Sequence, residues 1–328
     1  MNHKQLIRLI SAFLFAAGIL TLSACGVSPK LDNPYPMDAF SPDSAYGSED
    51  GLRAAGFAAA LCVPEQTEGT INAEGVTADS FALFDVTDAR ILSQNNLFEK
   101  MYPASTTKIL TCLLALEQGN LEDVVTVPED SAITVSGSSM ANLKPGDQIK
   151  LRDLLYGLMV PSGNDAAVAI AKHIGGSVSK FVDMMNERAA SLGASHSHFM
   201  NPHGLPDENH YTTVYDMYLI FNAALQNPDF AKIASTKEYT AEVTSADGTV
   251  REVSWSNGNA YLSGRFSMPD GYSVTAGKTG HTNAAGFCLV LGEQNKEGKQ
   301  FISIIMKAPA YEALYNSMTA LIEKGSTE

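Results

Sequence analysis

Ser105 and Lys108 stand three positions apart in Tyr102-Pro103-Ala104-Ser105-Thr106-Thr107-Lys108, where the chain enters the apolar run Ile109–Leu116. In a helix, residues i and i+3 share a face, so the lysine amine would lie beside the serine hydroxyl. A hydroxyl is a weak nucleophile without an adjacent base. Lysine can be that base only if burial or a second cation lowers its pKa from an ordinary value of about 10.4. A helix start adds free backbone N–H groups and a positive dipole end, both suited to an oxyanion. Spacing alone does not make a site, because Ser177-Val178-Ser179-Lys180 repeats it. There Gly175-Gly176 precede a helical pattern, and Ser177 reads as an N-cap.

Two further groups could complete the first pair. After the helical run LRDLLYGLMV the chain turns through Pro161-Ser162-Gly163-Asn164, which puts a hydroxyl and a carboxamide on one loop. Lys278-Thr279-Gly280 immediately precedes a strand pattern and is the sole KTG or KSG in the chain. Each has an ordinary reading: Ser162 and Asn164 as turn formers, Lys278 as a solvated strand-end charge. Ser93-Gln94-Asn95 shows that the serine–asparagine spacing also arises elsewhere. His203 reads as a structural loop residue, Tyr215, Tyr218 and Phe221 as packing at helical spacing, and Trp255 has no catalytic role.

The elements that must position these groups follow from periodicity. Strand-like runs begin at Phe57 (FAAALCV), Ser80 (SFALFDV) and Ala89 (ARILSQ). Residues 102 to about 225 read mainly helical, with Thr213 and Asp216 in capping-box spacing before VYDMYLIFNAAL. A hairpin pattern returns around Asp247-Gly248, and GFCLVLG and FISIIM flank a polar turn. The final segment puts Leu314, Met318, Leu321 and Ile322 on one helical face. Strands at both ends and helices between them predict an antiparallel sheet with helices on its faces.

The 328 residues are 45% hydrophobic, enough for a substantial core. Residues 1–24 carry basic Lys4 and Arg8, an apolar run from Leu9 and a Leu22-Ser23-Ala24 ending before Cys25, which is a signal-peptide pattern and too short for a permanent span. Loss of residues 1–24 takes the formal charge from −14 to −16, which disfavours nucleic acid as a partner. Residues 25–50 are rich in Pro, Ser, Asp and Gly and read as a flexible tether, leaving 51–328 as the folded domain. Cys62, Cys112 and Cys288, widely spaced in apolar stretches, read as buried thiols. No CxxC pair, HExxH or glycine-rich phosphate loop is present.

Taken in order, Ser105-x-x-Lys108, Ser162-x-Asn164 and Lys278-Thr279-Gly280 resemble the three signatures of the penicillin-recognising serine enzymes. Within that group the chain is similar to the low-molecular-weight D-alanyl-D-alanine carboxypeptidases over roughly Ser80 to Lys324. The stretches that carry the likeness are YPASTTK, GSSMANLKPGD, PSGNDAA, NPHGLPDENHYTT and KTGHTNAAG. The resemblance implies an α/β fold of the α+β type, β-lactamase/transpeptidase-like, with a mostly helical subdomain inserted between early and late strands. It implies peptidoglycan stem peptides as substrate, β-lactams as covalent inhibitors and no cofactor. Ser105 would be the nucleophile, Lys108 its base and Ser162 a proton relay. Asn164, Lys278, Thr279 and Gly280 would bind substrate, and backbone N–H groups of Ser105 and His281 would hold the oxyanion. The end of the signal resembles a lipobox, which implies lipidation of Cys25 and an extracytoplasmic, membrane-anchored location. The alternatives are a β-lactamase, disfavoured because no ExxLN-like segment lies between Asn164 and Lys278, or a lipoprotein that binds cell-wall peptide or penicillin without turnover. The family's additional arginine near the last strand has no counterpart here except Lys307.

Overall fold

The computed structural model describes residues 61–64, 69–133 and 135–326. The signal peptide, Cys25 and the tether expected at 25–50 lie outside the described residues. So does most of the strand expected from Phe57; its remainder, Leu61–Val63, forms no strand. Cys62 is instead buried, its N–H donating to the Tyr218 hydroxyl at 2.8 Å.

A five-stranded antiparallel sheet has the order β2-β1-β9-β8-β7, from β1 (Ser80–Asp85), β2 (Arg90–Asn95), β7 (Tyr272–Thr282), β8 (Gly286–Asn295) and β9 (Gln300–Ala308). Its central strands are apolar without alternation because both faces are covered. Ala82, Phe84, Val290 and Ile304 join the core on one face, and Phe81, Leu83, Leu289 and Ile305 join the core on the other. The second core is closed by the C-terminal helix Tyr311–Glu323, whose Leu314, Met318, Leu321 and Ile322 are buried as their spacing predicts.

The first core is shared with a helical layer: α1 (Lys108–Gln118), α2 (Leu151–Met159), α3 (Asn164–Gly175), α4 (Val178–Ser191), α5 (Val214–Leu225) and α6 (Pro228–Ala234). Two strands inside this region, β3 (Val124–Thr126) and β4 (Gln148–Lys150), are too short for a periodicity to reveal. They pair with β5 (Glu238–Thr244) and β6 (Val250–Ser256) as a second sheet, so the late hairpin does not extend the main one. Gly248 turns that hairpin at φ +86°. Trp255 braces the second sheet against the helices, stacked beside Tyr239 and donating to the Ala141 carbonyl at 2.8 Å.

Thr213 caps α5 by accepting the Asp216 N–H at 3.0 Å. The Asp216 carboxylate does not return the bond as a capping box would. It accepts the His196 N–H at 2.8 Å and the Ser197 hydroxyl at 2.7 Å, tying down the loop that precedes the helix. That loop carries Asn201–Leu205 to the start of α1.

Candidate active site

Ser105 sits in a 3-10 turn, Ala104–Thr107, that runs directly into α1. The turn keeps the i, i+3 relation, and the Lys108 Nζ lies 3.0 Å from the Ser105 Oγ. Ala104 reaches this geometry at φ +48°, a left-handed conformation that costs a β-carbon residue about 1 kcal/mol or more. Two glycines hem the turn in. A β-carbon on Gly204 would stand 1.8 Å from the Ala104 carbonyl oxygen, and one on Gly280 would stand 3.0 Å from the Ser105 nitrogen. Strand β7 and the Asn201–Leu205 loop therefore approach the serine from two sides as closely as backbone allows.

The Lys108 amine is fully buried and has two further contacts, each at 2.7 Å: the Asn164 Oδ1 and the His203 carbonyl. Both are acceptors only. A neutral amine can give them its two N–H groups, which leaves its lone pair facing the Ser105 hydroxyl. An ammonium can donate along the same three directions. Proton transfer from serine to lysine thus needs no rearrangement around the nitrogen. Burial holds Lys108 well below the usual lysine range, the neighbouring Lys278 lowers it further, and Asp165 opposes them.

Lys278, from the centre of β7, is 2% exposed and donates to the Ser162 Oγ at 2.9 Å and to the Thr279 carbonyl at 3.0 Å. Its burial lowers its pKa to about 7. Ser162 meets it from the turn between α2 and α3 at φ +65°, another left-handed residue without the freedom of glycine. Two cavities open on Ser105. One, of about 420 Å³, runs between the Val135–Ser139 segment, the His203–Pro206 loop and His281–Ala284. The other, of about 280 Å³, runs past Ser162, Thr279 and Gly280 toward Ser256 and Tyr311.

The structure thus brings together Ser105, Lys108, Ser162, Asn164, Lys278, Thr279, Gly280 and His281. Lys307 is elsewhere: it pairs with Asp79 at 2.5 Å and lines neither cavity. Sequence reasoning assigned His203 to a loop without seeing its carbonyl on the lysine, and it missed Asp165. The buried Asp165 carboxylate accepts the Ala141 N–H at 2.8 Å and the Leu143 N–H at 3.0 Å, holding the segment that walls the cavities. A backbone carbonyl leaves no residue-type signal; an acid directly after Ser-Gly-Asn was a visible one. Tyr218 stacks on Phe84 at 4.1 Å and Cys62, Cys112 and Cys288 are buried free thiols, as their settings predict.

A family profile described as D-alanyl-D-alanine carboxypeptidase matches residues 67–310. The D-alanyl-D-alanine carboxypeptidase DacA of Haemophilus influenzae is 33% identical over an alignment covering 76% of this chain and 62% of that protein. A D-alanyl-D-alanine carboxypeptidase of Streptomyces sp. K15 is 33% identical, with 67% and 77% covered. The chain therefore spans less than two thirds of the Haemophilus relative and more of the Streptomyces one. The crystal structure of the Streptomyces K15 DD-transpeptidase superposes with a TM-score of 0.72 at 30% identity, covering 80% of this chain and all of that one.

Proposed function

The chain belongs to the D-alanyl-D-alanine carboxypeptidase family, and from that membership we propose that it is a serine-type carboxypeptidase removing the terminal D-alanine of peptidoglycan stem peptides. The observation that carries this reading is the Lys108 amine, buried, fixed by two acceptors and 3.0 Å from the Ser105 hydroxyl. Neutral Lys108 takes the Ser105 proton as Oγ attacks the carbonyl between the two D-alanines. The N–H groups of Ser105 and His281 hold the resulting oxyanion, and the hydroxyl of Thr279 with the charge of Lys278 binds the terminal carboxylate. Ser162 passes a proton to the leaving amine, so D-alanine departs neutral at nitrogen and an ester remains on Ser105. Water then hydrolyses that ester and restores the serine. β-Lactams present the same carbonyl next to a carboxylate and acylate Ser105 in the same way.

Stem peptides lie outside the cytoplasm, and the reading carries residues 1–24 as an export signal and Cys25 as a lipid anchor ahead of a tether ending near residue 50. Among the described residues no helix is long and apolar enough to cross a membrane. A second fate of the acyl-enzyme, transfer to an amine, is favoured by the likeness to the Streptomyces K15 DD-transpeptidase. The deciding assay feeds a D-alanyl-D-alanine pentapeptide to wild type and to Ser105→Ala, with and without an amine acceptor. Free D-alanine with tetrapeptide supports hydrolysis, and an amide product supports transfer. No D-alanine from the wild-type chain overturns the enzymatic reading and leaves a binder.

A further inference from the structure

We propose that His210 is a positioning residue for acylation: through the Thr107 hydroxyl, its imidazole fixes the plane of the Ala104–Ser105 peptide and so aims the Ser105 N–H at the developing oxyanion. The proposal rests on the reading of Ser105 as nucleophile. His210 lies far along the chain, in the loop between His198 and α5, yet it is 1% exposed and reaches the 3-10 turn.

The direction of each hydrogen bond follows from its chemistry. The Met200 N–H can only donate, and it meets the His210 Nδ1 at 3.1 Å, so that nitrogen carries no proton. The ring proton is then on Nε2, 2.9 Å from the Thr107 Oγ1, which accepts it. The threonine's own proton goes to the Ala104 carbonyl at 2.8 Å. Backbone N–H, imidazole, hydroxyl and carbonyl form one chain in which each proton is used once.

The last acceptor is the important one. The Ala104 carbonyl and the Ser105 N–H are opposite ends of one planar trans peptide, so fixing the oxygen fixes the direction of the N–H. The plane needs holding, because Ala104 is at φ +48° and is not relaxed there. Gly204 and Gly280 limit how far the turn can move, but contact alone does not set the angle of the plane. Burial lowers the His210 pKa to about 4, with Asp207 raising it and His198 lowering it, so the ring is neutral across the physiological range. The Phe199 ring meets it edge-on at 5.5 Å and adds no charge.

The test measures two constants for a fluorescent penicillin, the dissociation constant of the complex before acylation and the rate constant of acylation, with thermal midpoints recorded alongside. The proteins are wild type, Thr107→Val, Thr107→Ser, His210→Ala and the double variant Thr107→Val/His210→Ala. Thr107→Val and His210→Ala are each expected to slow acylation by about 10–100-fold, less than outright removal of an oxyanion donor, while the prior dissociation constant moves less than about threefold. The double variant should be no slower than the worse single one, since both break the same chain. Thr107→Ser should stay within about threefold of wild type. Wild-type acylation in Thr107→Val, losses that multiply in the double variant, or a Thr107→Ser as slow as the valine variant would each overturn the proposal. If His210→Ala does not fold, the near-isosteric valine and serine pair at position 107 still decides. A wild-type chain that penicillin does not acylate removes the assignment of Ser105 and this proposal together; intact acylation in every variant removes this proposal alone.

Discussion

Ser105–Lys108 and Ser177–Lys180 share a spacing and a place at a helix start, and the structure gives them opposite surroundings. Lys108 is sealed beneath two loops and strand β7, with acceptors on two sides and a second lysine nearby. Lys180 is exposed; its backbone N–H donates to the Ser177 Oγ at 3.2 Å, and the serine is an N-cap. A hydroxyl near an amine becomes a candidate catalyst only where water is excluded and the amine loses its proton. What separates the two pairs is supplied by residues more than fifty positions away.

The comparison can be broken most sharply at the serines. Ser105→Ala should abolish covalent labelling by fluorescent penicillin. Ser177→Ala should label as wild type and lose only a cap, about 0.5–2 kcal/mol in a denaturant titration. Labelling lost in both variants would mean that Ser105 was not distinguished by its surroundings. The lysines come next: Lys108→Met should slow acylation by about 10²–10⁴-fold, the usual range for a missing base, and Lys180→Met should leave the rate unchanged. The acylation rate of the wild type should also fall as pH drops and the Lys108 amine takes up a proton, and this acid limb should be absent from any residual rate in Lys108→Met.

The glycines beside each pair sharpen the contrast. Gly204 and Gly176 both have positive φ, but a β-carbon on Gly204 meets the Ala104 carbonyl oxygen at 1.8 Å, whereas one on Gly176 meets nothing within 4 Å. Gly204→Ala should cost on the order of 3–5 kcal/mol and acylate slowly, and Gly176→Ala only about 1 kcal/mol. Equal stability losses in chemical denaturation would show that the approach of that loop is not tight.

The smallest expected effects concern charge. Lys278 has a folded pKa of about 7, below the unfolded lysine value, so its contribution to stability is full above the unfolded pKa and is lost as pH falls toward 7. At neutral pH the group weakens the fold, and Lys278→Met should raise the stability by roughly 1–3 kcal/mol while capture of the substrate carboxylate fails. His203 and His210 are depressed to about 3 and about 4, so their stabilisation is present above the unfolded value of 6.5 and is lost as pH falls from there toward 4. Glu293 has the opposite sign. Buried and raised to about 8, it stabilises below its unfolded value of 4.5 and loses that contribution as pH rises through 8. Between pH 6.5 and 4 the two histidines outweigh Glu293, whereas between pH 7 and 8 the opposite slopes of Glu293 and Lys278 offset each other. Thermal midpoints should therefore fall on the acid side, and a flat profile down to pH 4 would contradict the burial of the two histidines.

Much of this was legible in the chain. The long periodic elements, the Asp247-Gly248 hairpin and the buried cysteines followed from pattern and turn chemistry, and the order of three short motifs pointed to one cleft. Three kinds of feature were not. Strands of three residues, β3 and β4, carry no measurable period, so the second sheet was invisible and its hairpin was assigned to the first. Backbone groups have no residue-type signature, which hid the His203 carbonyl on Lys108 and the Ala104 carbonyl under Thr107. Asp216 was expected to close a capping box, and its carboxylate instead holds the 196–197 loop, because a loop partner was available that sequence separation conceals.

The most direct measurement is the position of the penicillin adduct. After brief exposure to a penicillin, tryptic digestion and mass spectrometry should find the added mass on Met101–Lys108, at Ser105, with the peptide containing Ser177 unmodified. An adduct at Ser177, at another residue, or nowhere in a chain that is folded would contradict a nucleophile created by a buried neutral amine at Lys108.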